Sequence, residues 1–148
     1  MRHGERRASS GQSLAEFAIV VPIFLLVLFG MIDIGRYVFL ATAFNHAARE
    51  GARFGSVEQW SFSCPAAASP KNRQNCAEVV ARNSIVGAPP TFTVDATCQP
   101  ASCRAGDMLI VKVETPSSGA GRFRFFTPVI GSLIAPPVIR GEARVVIQ

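Results

Sequence analysis

The chain has few of the residues from which catalytic sites are built. It contains only two histidines, His3 and His46, and His46 has no serine or cysteine partner that the sequence makes apparent. It also lacks a GxxxxGK loop, which would cradle a phosphate, and a paired-acid motif in a plausible cleft. The sequence therefore predicts a protein that is not an enzyme and that needs no cofactor.

The four cysteines lack the spacing of a redox or zinc site. Eleven, twenty-one and four residues separate them in turn, so no CxxC motif occurs, and both histidines lie far upstream. We therefore expect neither a dithiol enzyme nor a metal site. An even number of cysteines, all downstream of the hydrophobic segment, is typical of disulfides in an oxidising compartment. Three pairings are open, and we expect the sequential one, Cys64 with Cys76 and Cys98 with Cys103.

Acidic residues are fewer than basic ones, 10 against 15, which gives a formal charge of +5. The 13 arginines are scattered along the chain, and no basic helix face or interleaved aromatic platform emerges. The positive charge therefore does not predict a nucleic-acid partner.

Charge is almost absent between residues 14 and 32, where Glu16 is the only charged residue. The uncharged part, Phe17 to Ile32, has sixteen residues. As a helix it would span about 24 Å at about 1.5 Å per residue. With the apolar residues on either side it becomes long enough for a hydrocarbon core of about 30 Å. We therefore predict one transmembrane helix in contact with membrane lipid.

Three arginines before the hydrophobic segment, Arg2, Arg6 and Arg7, set its expected orientation, with the N-terminus cytoplasmic and the remaining chain outside. A cleaved signal peptide is the alternative, because it also has a basic start and an apolar core. Such a core has about 7–15 residues and ends in a small-x-small site. This segment is longer, holds Glu16 and continues through aromatic residues, so we favour a retained helix.

Two charged residues, Asp33 and Arg36, stand where the helix would leave the membrane. They are three residues apart, which puts them on one helix face, and we expect them to pair near the far interface. A carboxylate inside a membrane helix, such as Glu16, marks a functional site by default because it is costly to keep there.

The chain beyond the membrane has the pattern of a small mixed domain. Helix formers continue the first helix, which we expect to stop near Gly55. The other predicted elements are a short helix at 76–87, an antiparallel hairpin of strands at 91–97 and 107–115, and a last strand within 138–148. The predicted fold class is α+β, with a basic leader at 1–11, a transmembrane and extended helix at 12–55, and an extracytoplasmic head with an antiparallel sheet at 56–148.

The apolar stretch at residues 122–135 has two interpretations, a buried crossing of the head or an exposed contact surface. We favour core packing, because a domain of roughly a hundred residues needs such material.

Residues 11–39 and 45–55 together resemble the TadE-like family of minor pseudopilins from tight-adherence (Flp-type) pilus systems. The feature that carries the resemblance is Gly11, four further residues, and then Glu16-Phe17 at the start of the apolar run. Two C-terminal stretches, FRFFTPVIG and RGEARVVIQ, add weaker similarity.

The resemblance implies processing by a membrane-embedded prepilin peptidase between Gly11 and Gln12. Glu16 and Phe17 would then be the fifth and sixth residues of the mature chain and would take part in recognition and assembly. The cut creates an ammonium on Gln12, and Glu16 could neutralise it or the same group on a neighbouring helix. A paired buried carboxylate is tolerated and fixes the axial register of packed helices.

The resemblance also implies a role. Major Flp-type pilins have Glu-Tyr at this position and little more than one helix, whereas this chain has Glu16-Phe17 and a long C-terminal domain, as expected of a minor or initiating component. The implied partners are the prepilin peptidase, other pilins and pseudopilins, and the tight-adherence assembly machinery. The implied location is the bacterial inner membrane, with a periplasmic head. The alternative is a single-pass anchored protein whose extracytoplasmic domain binds a ligand or supports another secretion complex.

Overall fold

The longest element of the chain is a helix of 49 residues, α1 (Ala8–Ser56). The computed structural model describes residues 8–57, 61–87, 91–119, 122–126 and 137–148. Four more elements follow α1 in the chain: α2 (Arg73–Asn83), β1 (Thr93–Gln99), β2 (Met108–Glu114) and β3 (Arg140–Val146). One long apolar helix with a short helix and a small sheet is an α+β fold, which confirms the predicted class.

α1 begins at Ala8, before the predicted start at residue 12, and ends at Ser56, close to the predicted stop. It remains helical through Pro22, which lacks only one backbone donor. At the far end the Arg73 guanidinium donates to the carbonyl oxygen of Gly55 at 2.6 Å. The last carbonyls of a helix have no partner within the helix. A side chain from α2 therefore supplies one.

α2 starts three residues before the predicted position because Asn72 caps it. The Asn72 backbone is extended, and its side-chain oxygen accepts from the Asn75 amide at 2.7 Å. A disulfide between Cys64 and Cys76 joins the preceding loop to the first turn of this helix.

The three strands form one antiparallel sheet in the order β1-β2-β3. The registers align Ala96 with Val111, and Val111 with Ala143. In β1 alternate side chains are buried, as strand geometry requires, whereas in β2 Ile110 is buried together with its neighbours Leu109 and Val111. The outer edge of β1 is covered by α2, whose Glu78 carboxylate accepts from the Ala96 amide at 3.0 Å.

The β1–β2 hairpin is closed by the second disulfide, between Cys98 and Cys103. Next to it the Asp107 carboxylate accepts from the Ser102 hydroxyl and from the Arg104 amide. The hydrogen bond from Ser102 is the main reason why the pKa of Asp107 is below its ordinary value, and the hydrogen bond from the Arg104 amide lowers it further. Both disulfides therefore have the sequential connectivity, and both lie in the head.

In the core between α1, α2 and the sheet, glycines allow the packed elements to approach each other closely. Gly51 and Gly55 of α1 face α2 and β2: a Cβ on Gly51 would lie 2.8 Å from the Ala77 carbonyl oxygen, and one on Gly55 would overlap the Leu109 side chain. Gly141 of β3 lies directly against α1. The Gly51–Gly55 spacing therefore does more than end the helix, because it lets two elements approach without side chains between them.

Only part of the apolar stretch predicted as core can be assessed. Of residues 122–135, the structure describes 122–126, and the remainder lies outside the described residues. Phe123 is buried in the core, as predicted, but Phe126 is 66% exposed. Of the three phenylalanines in the described part, Phe123 is therefore buried, Phe125 half-buried and Phe126 exposed.

Candidate functional site

The N-terminal part of α1 projects from the head as a bare helix. Every residue from 11 to 28 is exposed apart from the half-buried Val21, and most of these side chains are apolar. At about 1.5 Å per residue this bare part is about 27 Å long. Within the described residues, it belongs to the one helix that is long and apolar enough to cross a membrane.

The predicted processing and assembly residues all lie at the start of this bare helix. The structure brings Gln12 and Glu16 together, since the Gln12 side-chain amide donates to Glu16 Oε1 at 3.2 Å. This is the contact expected of residues four apart on one helix face. Phe17 is exposed beside them.

Gly11 is surrounded by open space. A Cβ at this position would meet nothing within 4 Å. Glycine in a helix is less favourable than alanine by about 1 kcal/mol. Packing among the described residues therefore gives no reason for glycine at this position.

The second predicted site, Asp33 with Arg36, lies where the bare helix meets the head. The two side chains are 3.9 Å apart, with Asp33 only 1% exposed and Arg36 52% exposed. The shorter contact of Asp33 is with a different element, because the backbone amide of Phe126 donates to its Oδ1 at 2.8 Å. Asp33 thus holds the loop of residues 122–126 against α1.

Aromatic contacts extend this attachment along α1. The Phe123 ring lies edge-on to Tyr37 at 5.9 Å, and the Arg36 guanidinium lies over it at 5.7 Å. The Phe126 ring lies 5.5 Å from that of Phe29. Sequence reasoning missed the role of this loop, because residues 93 positions apart carry no local signal of contact.

Replacing Asp33 with alanine should release the 122–126 loop from α1. A hydrogen bond to a charged group contributes about 1.5–3 kcal/mol, which corresponds to faster local opening by about tenfold or more. Hydrogen exchange at the Phe126 amide measures this opening. Asp33→Asn keeps an acceptor in place and should show a smaller effect, whereas unchanged exchange in Asp33→Ala would contradict the assigned contact.

A comparison with known protein families finds a match that lies within α1. Residues 11–53 match the TadE-like protein family. The TadE-like segment covers Gly11, Glu16, Asp33 and the part of α1 that enters the head. The match confirms, over this segment, the resemblance predicted from the sequence, and it does not extend to the sheet. No curated protein and no solved structure matches the chain.

The TadE-like family is a structural family associated with pili. The match at residues 11–53 therefore suggests that this chain takes part in the tight-adherence pilus system and associates with components that assemble the pilus. The exposed apolar part of α1, near the N-terminus of this chain, is consistent with a single-pass membrane protein.

Proposed function

We propose that this protein is a minor pseudopilin of a tight-adherence pilus, processed by a prepilin peptidase and anchored in the bacterial inner membrane by α1. The observation that carries the proposal is the exposed apolar part of α1 at residues 11–28, which holds Glu16 five residues after Gly11. The protein has a structural role and packs beside other subunits during assembly of the pilus.

The start of α1 suits a cleavage site between Gly11 and Gln12. Both residues lie in the first two turns of α1, and the ends of helices fray more readily than their interiors. A peptidase needs an extended backbone at the cut, and glycine favours the unwound form. It also has no side chain to keep catalytic carboxylates away. The basic residues upstream hold this site at the cytoplasmic surface.

Features of the head support its place outside the cytoplasm. All four cysteines are joined in two disulfides, and the described residues include no free cysteine. Disulfides persist in oxidising compartments such as the periplasm. A periplasmic head and a cytoplasmic leader are the two ends of a single crossing by α1.

The N-terminus of the protein isolated from its native membrane tests the proposal directly. A processed protein begins at Gln12 and is lighter by the mass of its first eleven residues. Intact mass and N-terminal sequencing both measure this. A protein that keeps its arginine-bearing leader would instead support the alternative, an anchored ectodomain that binds a ligand or serves another secretion complex.

Gly11→Ala should slow processing so that the unprocessed precursor accumulates. The added methyl group stabilises the helix by about 1 kcal/mol, so the backbone unwinds less readily. It also hinders the approach of the peptidase's catalytic carboxylates to the Gly11–Gln12 bond. Gly35→Ala is the matched control, because it makes the same change in the same helix where a Cβ would also meet nothing within 4 Å. The control should be processed at the normal rate, and normal processing of Gly11→Ala would count against the assigned site.

A further inference from the structure

The loop of residues 122–126 descends along α1 towards the membrane. Phe123 lies level with Arg36 and Tyr37, while Phe126 lies level with Phe29 and Asp33. Phe29 and Arg36 are seven residues apart, so the loop descends by about 10 Å along the helix axis. Its lower end is the exposed ring of Phe126.

The depth of Phe126 follows from the length of the span. A hydrocarbon core of about 30 Å takes about 20 helical residues. If these begin at Leu14 they end at Asp33, and if they begin at Phe17 they end at Arg36. Both registers place Phe29 in the outer half of the hydrocarbon, and the first, which leaves Asp33 at the interface, places it about 6 Å from the outer edge. The Phe126 ring touches Phe29 and therefore reaches the same depth.

Charges lie at the level above this ring. Arg36 and Arg124 are both exposed where the helix and the loop leave the apolar zone. Arginine at this level can place its guanidinium among lipid phosphates while its stem covers apolar surface. The order along the loop, with basic residues above and an aromatic ring below, is that of a segment inserted into a membrane interface.

We infer that the 122–126 loop is a second membrane anchor, with Phe126 inserted into the outer leaflet of the phospholipid bilayer and Arg124 and Arg36 at its phosphates. The inference rests on the proposed membrane anchoring by α1. Asp33 fixes the loop to the helix, so the two anchors hold the head at one height and one orientation on the membrane surface. A single helix lets the head rotate about the helix axis and tilt with it, whereas a second attachment point restricts both motions.

Quenching of tryptophan fluorescence by brominated lipids tests the insertion. Three full-length variants carry Phe126→Trp, Phe24→Trp or Phe62→Trp in a Trp60→Phe background and are placed in phosphatidylethanolamine–phosphatidylglycerol nanodiscs. Phe24 is 61% exposed near the middle of the span from Leu14 to Asp33, and Phe62 is 90% exposed beyond the far end of α1. All three substitutions are the same chemically and replace an exposed ring.

Bromine near the top of the acyl chains should reduce the fluorescence of Phe126→Trp by roughly twofold or more, as for an aromatic ring at the interface. Bromine near the chain ends should quench it less. Phe24→Trp should be quenched more by the deep bromine, and Phe62→Trp by neither. If Phe126→Trp is as unquenched as Phe62→Trp while Phe24→Trp is quenched, the inference is wrong and α1 anchoring stands. If Phe24→Trp is also unquenched, the proposed anchoring fails as well.

Two further measurements keep the test decisive. In the unsubstituted protein, lipids with a spin label near the headgroup should broaden the Phe126 amide resonance and leave that of Val113, inside the head, unchanged. A second copy of the chain is the competing occupant of the Phe126 surface. Protection of Phe126→Trp from acrylamide only in discs that hold two copies, without quenching by bromine, would overturn insertion into lipid.

Discussion

Glu16→Leu is expected to abolish assembly of the protein with its pilus partners while membrane insertion stays intact. Glu16 is exposed on the bare helix, and the head offers it no contact among the described residues. A carboxylate at the centre of a membrane helix costs about 2.5–3.5 kcal/mol, and less near the interface. Its removal should therefore leave insertion unchanged or more favourable.

The loss of assembly follows from the charge that processing creates. Cleavage before Gln12 leaves an ammonium group, and Gln12 already contacts Glu16 through its side chain. Between helices packed side by side in lipid, an ammonium without a counter-ion is strongly unfavourable. Leucine leaves the amine unpaired, so the packed register loses its stabilising ion pair.

Comparison of three substitutions separates charge from shape at this position. Glu16→Gln keeps a hydrogen-bonding side chain of equal length but removes the charge, so it should fail as fully as Glu16→Leu. Glu16→Asp keeps the charge and should retain part of the assembly. Glu50→Leu is the control on the same helix, because Glu50 pairs with Arg53 at 2.8 Å on the surface of the head. An exposed ion pair of this kind contributes about 0–1 kcal/mol, so the control should assemble normally.

Assembly is measured by recovery of the protein with sheared surface pili and with assembly components from solubilised membranes. Insertion is measured by resistance to alkaline extraction of the membrane fraction. Assembly of Glu16→Leu at the level of the unsubstituted protein would refute the role given to the carboxylate. A variant absent from the membrane fraction would refute the prediction that insertion does not need it.

Gly141→Ala should destabilise the head more than any other single methyl group added at the glycines considered above. A Cβ at Gly141 would lie 2.5 Å from the carbonyl oxygen of Phe44 and 2.6 Å from the Asn45 amide nitrogen. Both atoms belong to the backbone of α1, so neither can move by a change of rotamer. Overpacking of a core costs about 1–3 kcal/mol, and a backbone neighbour places this site at the upper end.

Thermal unfolding of the solubilised protein measures this effect. A loss of 1 kcal/mol lowers the Tm of a domain of 60–100 residues by about 4–8 °C, so we expect a decrease of about 10 °C or more. Gly55→Ala should cost less, because its nearest neighbour is the flexible Leu109 side chain. Gly35→Ala, with open space around it, should not lower the Tm. A Gly141→Ala protein with an unchanged Tm would show that β3 does not approach α1 this closely.

The sequence alone specified those features that depend on local pattern. A long uncharged run predicts a membrane-spanning helix, and α1 is exposed from residue 11 to residue 28 except at the half-buried Val21. Alternation of apolar residues predicted β1 and β2, because side chains of a strand point in turn to opposite faces. The motif of Gly11 and Glu16-Phe17 specified the resemblance to the TadE-like family, since it lies within one continuous segment.

Only the tertiary structure decided how distant segments meet. The carboxylate of Asp33 was expected to pair with Arg36, yet its shorter contact is the Phe126 amide, 93 positions away. Gly55 was expected to mark the end of α1, whereas the lack of a side chain there and at Gly51 lets α1 approach α2 and β2. Such contacts depend on the relative placement of packed elements. The local pattern of apolar residues does not encode that placement. The contact between the 122–126 loop and Asp33 of α1 therefore became visible only in the fold.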